Sequence, residues 1–275
     1  MKGAFLLAFL AFLLLLGWGV APGGAEIPSE WITAMVEGDL VALDSLLVEA
    51  NGQFPVDVQG QTLLHLASRY GSGDGNTALL AHLVDSGIPV SAPDLHGITP
   101  LHTAASNDCV PCVARLLELG AKVDARRHDG QTPLFHAGPD AQLALIAAGA
   151  EVAARDRSGA IPLHVNRRPT EPLLEPGVNV TDAAGMTALH RAALEGDADR
   201  IEWLLARGAD PRIRTSAPYD FREGVLAPEF DPVLRIDAGK TAYDIAKWQH
   251  NRNKWSTGRF SRAKDLLEES RRKRR

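Results

Sequence analysis

The stretch Gly97-Ile98-Thr99-Pro100-Leu101-His102 decides how the chain folds. The glycine lets the backbone turn through positive φ. The threonine sits where a helix needs a cap, and proline suits the first helical turn, where its missing N–H costs nothing. Leu101 then opens an apolar face. The same hexad stands at Gly60-Gln61-Thr62-Leu63-Leu64-His65, and variants begin at Gly130, Gly159, Gly185 and Gly239. The glycine-to-glycine intervals are 37, 33, 29, 26 and 54 residues. A second pattern recurs between them: Leu116-Leu117-Glu118-Leu119-Gly120-Ala121 matches Leu204-Leu205-Ala206-Arg207-Gly208-Ala209, and Ile146-Ala147-Ala148-Gly149-Ala150 is a third copy. Here a helix carrying a Leu-Leu pair ends on a C-cap glycine. Asp57, Asp94, Asp129, Asp182 and Asp237 lie just ahead of the hexad glycines, where a carboxylate satisfies turn N–H groups.

These residues resemble the ankyrin repeat, with its Thr-Pro-Leu-His helix start and Leu-Leu-x-x-Gly-Ala helix end near a 33-residue period. The resemblance spans roughly residues 30–270 and implies an all-α ankyrin-repeat solenoid of helix–turn–helix units with β-turn tips. Seven units are expected. Residues 26–56 form an N-terminal capping helix pair and residues 57–214 hold five repeats, two of them shortened. Residues 215–236 are an inserted loop, residues 237–270 a C-terminal cap and residues 271–275 a basic tail. The third and fourth repeats are short. Gly138-Pro139 interrupts one, and Pro169, Pro172 and Pro176 interrupt the other. This reads as a tolerated deletion in the middle of a solenoid, the alternative being a notch flanked by Arg155, Arg157, Arg167 and Arg168 that docks an acidic group.

Composition and charge set the wider frame. The 275 residues are 45% hydrophobic, 23% charged and 6% aromatic, with net charge -5, which disfavours collagen-like, disordered and multi-span membrane classes. Residues 1–25 contain one charge, Lys2, followed by the apolar run Ala4–Leu16 and the small residues Gly23-Gly24-Ala25. This is the layout of an export signal cleaved after Ala25. Retained, the same run would be a marginal membrane tether. Without that leader the net charge is -6, and without the five basic tail residues it is -11 for residues 26–270. The expected location is exported, the periplasm first, with secretion or anchoring as alternatives. No stable membrane insertion follows cleavage, and no nucleic-acid partner is indicated.

Several motifs suggest chemistry. Cys109-Val110-Pro111-Cys112 is either a local disulfide staple or, as the alternative, a thiol–disulfide redox pair. His65, His102, His164 and His190 occupy the Leu-His position of the hexad, where the family resemblance implies a structural hydrogen-bonding role. The other histidines lack metal-ligand spacing, so neither a metal nor a cofactor is expected. Gly239-Lys240-Thr241 imitates a phosphate loop but lacks its earlier glycine, because position 234 is Leu234. Asn179-Val180-Thr181 is formally a glycosylation sequon. With no acid, base and nucleophile constellation, the expected function is non-catalytic: a monomer that binds a protein partner through its concave turn-tip and first-helix surface. The candidate contact residues are the non-signature turn positions Gln59, Gln61, Leu95, His96, Ile98, His128, Gln131, Arg157, Ala160, Ala184 and Met186.

Overall fold

The computed structural model describes residues 27–70, 75–221, 234–252 and 258–273. The leader, its cleavage point at Ala25, the middle of the insertion and the last two residues lie outside them. Helix pairs follow one another along the chain. The first cap is α1 (Ser29–Glu37) and α2 (Leu40–Ala50), and the next units are α3 (Leu63–Tyr70) with α4 (Gly75–Asp85) and α5 (Pro100–Ser106) with α6 (Val110–Glu118). The third unit has only a 3-10 turn, Pro133–Phe135, before α7 (Pro139–Ala147). The fourth has the single-turn α8 (Pro162–Val165) and a second 3-10 turn, Glu171–Leu174. The fifth is α9 (Ala188–Glu195) with α10 (Ala198–Ala206), and α11 (Ala242–Arg252) with α12 (Arg259–Lys273) closes the array.

First helices stack on first helices and second on second: α3 on α5, α4 on α6, α6 on α7, α9 on α11 and α10 on α12. No unit has an interior of its own. One apolar cluster runs from Ile27 and Trp31 through Leu64, Leu101, Leu145, Leu163 and Leu204 to Leu267. This is how a repeat buries a face that it cannot cover alone.

The turns also stack. Gly97 has φ 78°, and a Cβ there would come within 2.9 Å of the His128 backbone nitrogen. Both the turn and the close approach of the next turn therefore require glycine. Backbone bonds bridge successive tips: Leu95 N–H donates to Gln59 O, His128 to His96 O, Arg157 to Asp129 O, Ala183 to Ser158 O and Ser216 to Ala184 O.

The insertion is better ordered at its base than a plain loop. Tyr219–Phe221 (β1) pairs antiparallel with Leu234–Ile236 (β2), Tyr219 opposite Ile236. Arg191 anchors this ribbon. Its guanidinium donates to the Tyr219 hydroxyl at 3.0 Å, lies 4.9 Å from that ring's centroid and pairs with Asp182 at 2.7 Å.

The expected boundary between the last helix and a basic tail is displaced. α12 continues to Lys273, so Arg271 to Lys273 belong to the capping helix. Arg272 pairs with Glu268 and Lys273 with Glu269, each one turn back, and Arg271 lies over the Tyr243 ring. Cations in the last turn also suit the negative end of the helix dipole.

The short third unit depends on its neighbour. Asp108, at φ 57°, accepts from the Ala141 N–H at 2.7 Å and so caps α7 from the preceding turn. Gly138 passes so close that a Cβ on it would lie 2.2 Å from Asp108 Cγ. Gly138→Ala is therefore expected to cost roughly 2–3 kcal/mol in chemical denaturation. Adding Asp108→Gly should recover part of that loss, because it removes the clashing atoms. Equal additive losses would show that the contact is not the cause.

Candidate interaction surface

Each tip is built the same way. Asp57 Oδ1 accepts from the N–H groups of Gln59 and Gln61, both at 2.8 Å. Asp94, Asp156 and Asp182 repeat this bonding to the residues two and four positions on. The third unit departs from the pattern. Arg127 stands where the aspartate should be, and Asp129 pairs with it at 2.6 Å. Asp129 still accepts from the Gln131 N–H at 3.0 Å, as expected of it, and Asp156, absent from the expected set, bonds both turn N–H groups of the fourth unit.

The hexad histidines join each tip to the next. Their Nδ1 accepts from the backbone N–H at the helix start, at 3.0 Å in Thr62–His65, 3.2 Å in Thr99–His102 and 3.1 Å in Thr187–His190. Thr99 with His102 and Thr187 with His190 are capping boxes, with histidine where glutamate is usual. With Nδ1 accepting, Nε2 carries the proton and donates to the following unit: His65 to Ile98 O at 2.9 Å, His102 to Gln131 O at 3.2 Å, His164 to Met186 O at 2.9 Å and His190 to Lys240 O at 3.2 Å. Burial opposes charging these rings. It pushes His102 and His164 down to about 4 and lowers His65 and His190 as well. Asp244 replaces the histidine in the final unit, where it caps Thr241.

The expected contact residues divide into two groups. Gln59, Leu95, His96, His128 and Arg157 stand exposed on the tips, while Ile98 and Ala184 are half-buried. Gln61, Gln131, Ala160 and Met186 are buried and do not form an open surface. The residue after the glycine points into the stack, where its side chain ties the units together. Gln61 donates to Asp94, and Gln131 donates to Asp156 at 2.9 Å while accepting from Arg127 and His136. A glutamine in two of these positions was the available signal of an inward polar role.

The shortened units conceal a polar framework that pattern reading missed. Truncated helices leave carbonyls without an N–H partner one turn on. Buried side chains supply the donors instead. Gln142 donates to Ala137 O and Arg168 O, both at 2.9 Å, and accepts from the Thr170 N–H and hydroxyl, also at 2.9 Å. Asn166 donates to Ala137 O at 2.8 Å. Arg200, with its side chain wholly buried, donates to Leu163 O at 2.9 Å and His164 O at 2.6 Å and faces Glu195 at 3.7 Å.

The remaining motifs are absorbed by structure. Cys109 and Cys112 lie side by side at disulfide distance, with Cys109 the N-cap of α6. Cys109 is 8% exposed and Cys112 is fully buried, which leaves little sulfur for a substrate to reach. Asn179 accepts from the Asp210 N–H at 2.8 Å, as Asp124 does from Glu151. The sequon asparagine is thus a link between units. Arg155 donates to Gly159 O and Thr181 O, and Arg167 lies 3.4 Å from Glu195. Among the described residues no group of three His, Cys, Asp or Glu side chains is arranged to hold a metal, and no helix is long and apolar enough to cross a membrane.

Stacked helix pairs, glycine-turned tips and histidine ties between units define a helical-repeat solenoid. Residues 73–156 match a family model described as three copies of ankyrin repeats, and residues 184–216 match one described as an ankyrin repeat. The chain carries ankyrin repeats and folds as an ankyrin-repeat solenoid. It is 36% identical over 161 residues to neurogenic locus notch homolog protein 1 of Mus musculus, covering 58% of this chain and 5% of that protein. It is 35% identical over 125 residues to the B-cell lymphoma 3 protein homolog of Mus musculus, covering 43% of this chain and 28% of the relative. The chain thus spans only a small part of these curated relatives. Two solved structures share the fold at 23% identity. The ankyrin repeat domain of Bcl-3 has a TM-score of 0.53, covering 87% of this chain and 97% of that one; the human ASB11 ankyrin repeat domain has 0.59, covering 88% and 98%.

Proposed function

We propose that the chain is an exported, non-catalytic protein-interaction module that binds a protein partner through its tips and the face of its first helices. One observation carries this reading. The backbone ladder holds the tips in register, while Gln59, Leu95, His96, His128 and Arg157 stand exposed along them. Side chains carried on a preordered backbone lose less entropy on binding than those of a flexible loop. Stacked repeats supply an extended concave surface of this kind. Export is supported by the leader-like residues 1–25, and it would let Cys109 and Cys112, placed at disulfide distance, stay oxidised. Burial of that pair favours a staple over a catalytic dithiol.

The double variant His96→Ala, His128→Ala is expected to weaken capture of the partner from the exported fraction at least about tenfold, as for loss of central interface side chains. Its thermal midpoint should be unchanged, because both side chains are exposed. Undiminished capture would overturn the tip surface. Glu26 at the N-terminus of the captured chain would support export with cleavage, and a retained Met1 would contradict it.

A further inference from the structure

Charge is distributed unevenly along the solenoid. Residues 27–125 hold three lysines and arginines against twelve carboxylates. Residues 169–221 hold five against nine. Between them, residues 126–168 reverse the balance, with six arginines against four carboxylates. This cationic band coincides with the two shortened units, where helix is missing.

The carboxylates on the tips of this band are already engaged. Asp129 is bonded by Arg127, and Asp156 accepts from Ser158, Ala160 and Gln131. Arg157 and Arg168 are exposed and have no carboxylate within ion-pair distance among the described residues. Arg167, its side chain 75% exposed, lies 3.4 Å from Glu195 in a cleft also lined by Asp197 and Asp199, and so exposed a pair costs little to exchange for another acceptor. A polar path runs from the tip to His136, whose ring lies near enough to Arg167 to feel its charge. Arg157 follows Asp156, which Gln131 bonds, and Gln131 also accepts from His136. Desolvation of the bonded His136 ring, together with the nearby Arg127 and Arg167 guanidiniums, disfavours its protonation, so the positive charge here belongs to the arginines.

Resting on the interaction-module reading, we infer that the band formed by the shortened units docks a short acidic segment of a protein partner, whose carboxylates pair with Arg157, Arg167 and Arg168. Planar guanidiniums suit carboxylates in bidentate geometry. The strongly acidic flanks select a short segment over an extended polyanion. At physiological salt, charges act over about 8 Å. A few carboxylates seated in the band therefore feel the arginines, whereas a nucleic-acid strand or anionic membrane would also lie against the acidic units on either side.

Fluorescence anisotropy with a labelled decaglutamate peptide and the purified protein tests this. Wild type should bind the peptide, with affinity falling as salt rises. Arg157→Ala, Arg167→Ala, Arg168→Ala should weaken it about tenfold, the sum expected of three partly exposed ion pairs. Arg115→Ala with Lys122→Ala, outside the band, should stay within about twofold, with circular dichroism confirming that both variants fold. No peptide binding by wild type, equal losses in the two variants, or tighter binding of an oligothymidylate or of phosphatidylserine vesicles would overturn the proposal. A partner found at the tips and held equally well by the triple variant would overturn the acidic segment alone. Absence of any tip-bound partner would instead overturn the interaction-module reading.

Discussion

Stability is expected to fall as pH drops from 6.5 to about 4.5, before most carboxylates titrate. The hexad histidines are neutral in the fold, with Nδ1 accepting and Nε2 donating across units. An unfolded histidine takes up a proton near 6.5. His102 and His164 are held down to about 4, so below 6.5 the unfolded chain binds more protons than the folded one. Their stabilising contribution is complete above 6.5 and is lost as pH falls towards 4. A shift of that size amounts to roughly 3 kcal/mol for each residue at the acid limit. His65 and His190 act in the same direction. Against a typical total of about 5–15 kcal/mol, this is a large share of the stability. Urea midpoints measured between pH 7.5 and 4.5 should decline steadily. His102→Phe, which copies the natural Phe135 of the third unit, should lower stability at neutral pH and flatten the slope. A flat wild-type profile over this range would contradict the neutral, bonded state of these rings.

Gln142→Leu should be among the most damaging single changes in the core. The leucine nearly preserves volume, so the loss isolates hydrogen bonding. Gln142 serves Ala137 O, Arg168 O and both polar groups of Thr170, all in a region where short helices cannot satisfy their own backbone. Ala137 O keeps its bond from Asn166, so Arg168 O and the two Thr170 groups are left unpaired at about 1–3 kcal/mol each, a loss of roughly 2–4 kcal/mol after relaxation. Hydrogen exchange should quicken first across residues 133–174. A loss below about 1 kcal/mol would mean that water replaces the side chain at little cost.

The repeated hexad made the solenoid legible from the chain alone because every copy states the same local rule: turn, cap, apolar face. The insertion at residues 215–236 was legible as an interruption, but its ribbon base was not, since the pairing of Tyr219 with Ile236 is fixed by Arg191 from another unit. What repeat reading obscured is whatever occurs once. Gln142, Asn166 and Arg200 answer carbonyls exposed by particular deletions, and each lies over 25 residues from a partner it serves. Direction was also hidden. A position outside the motif looks free in sequence, yet at Gln61 and Gln131 the turn geometry points it inward. Only half of the surface expected at the tips is therefore surface.

The central claim is that this solenoid meets its partner with its tips. A photoactivatable crosslinking residue placed in turn at His96, at His128 and, on the outer helices, at Val48 and Ala114 tests it in the cells that make the protein. All four positions are exposed. The account predicts a shared adduct from positions 96 and 128 and none from positions 48 and 114. Adducts formed only from the outer helices would contradict it.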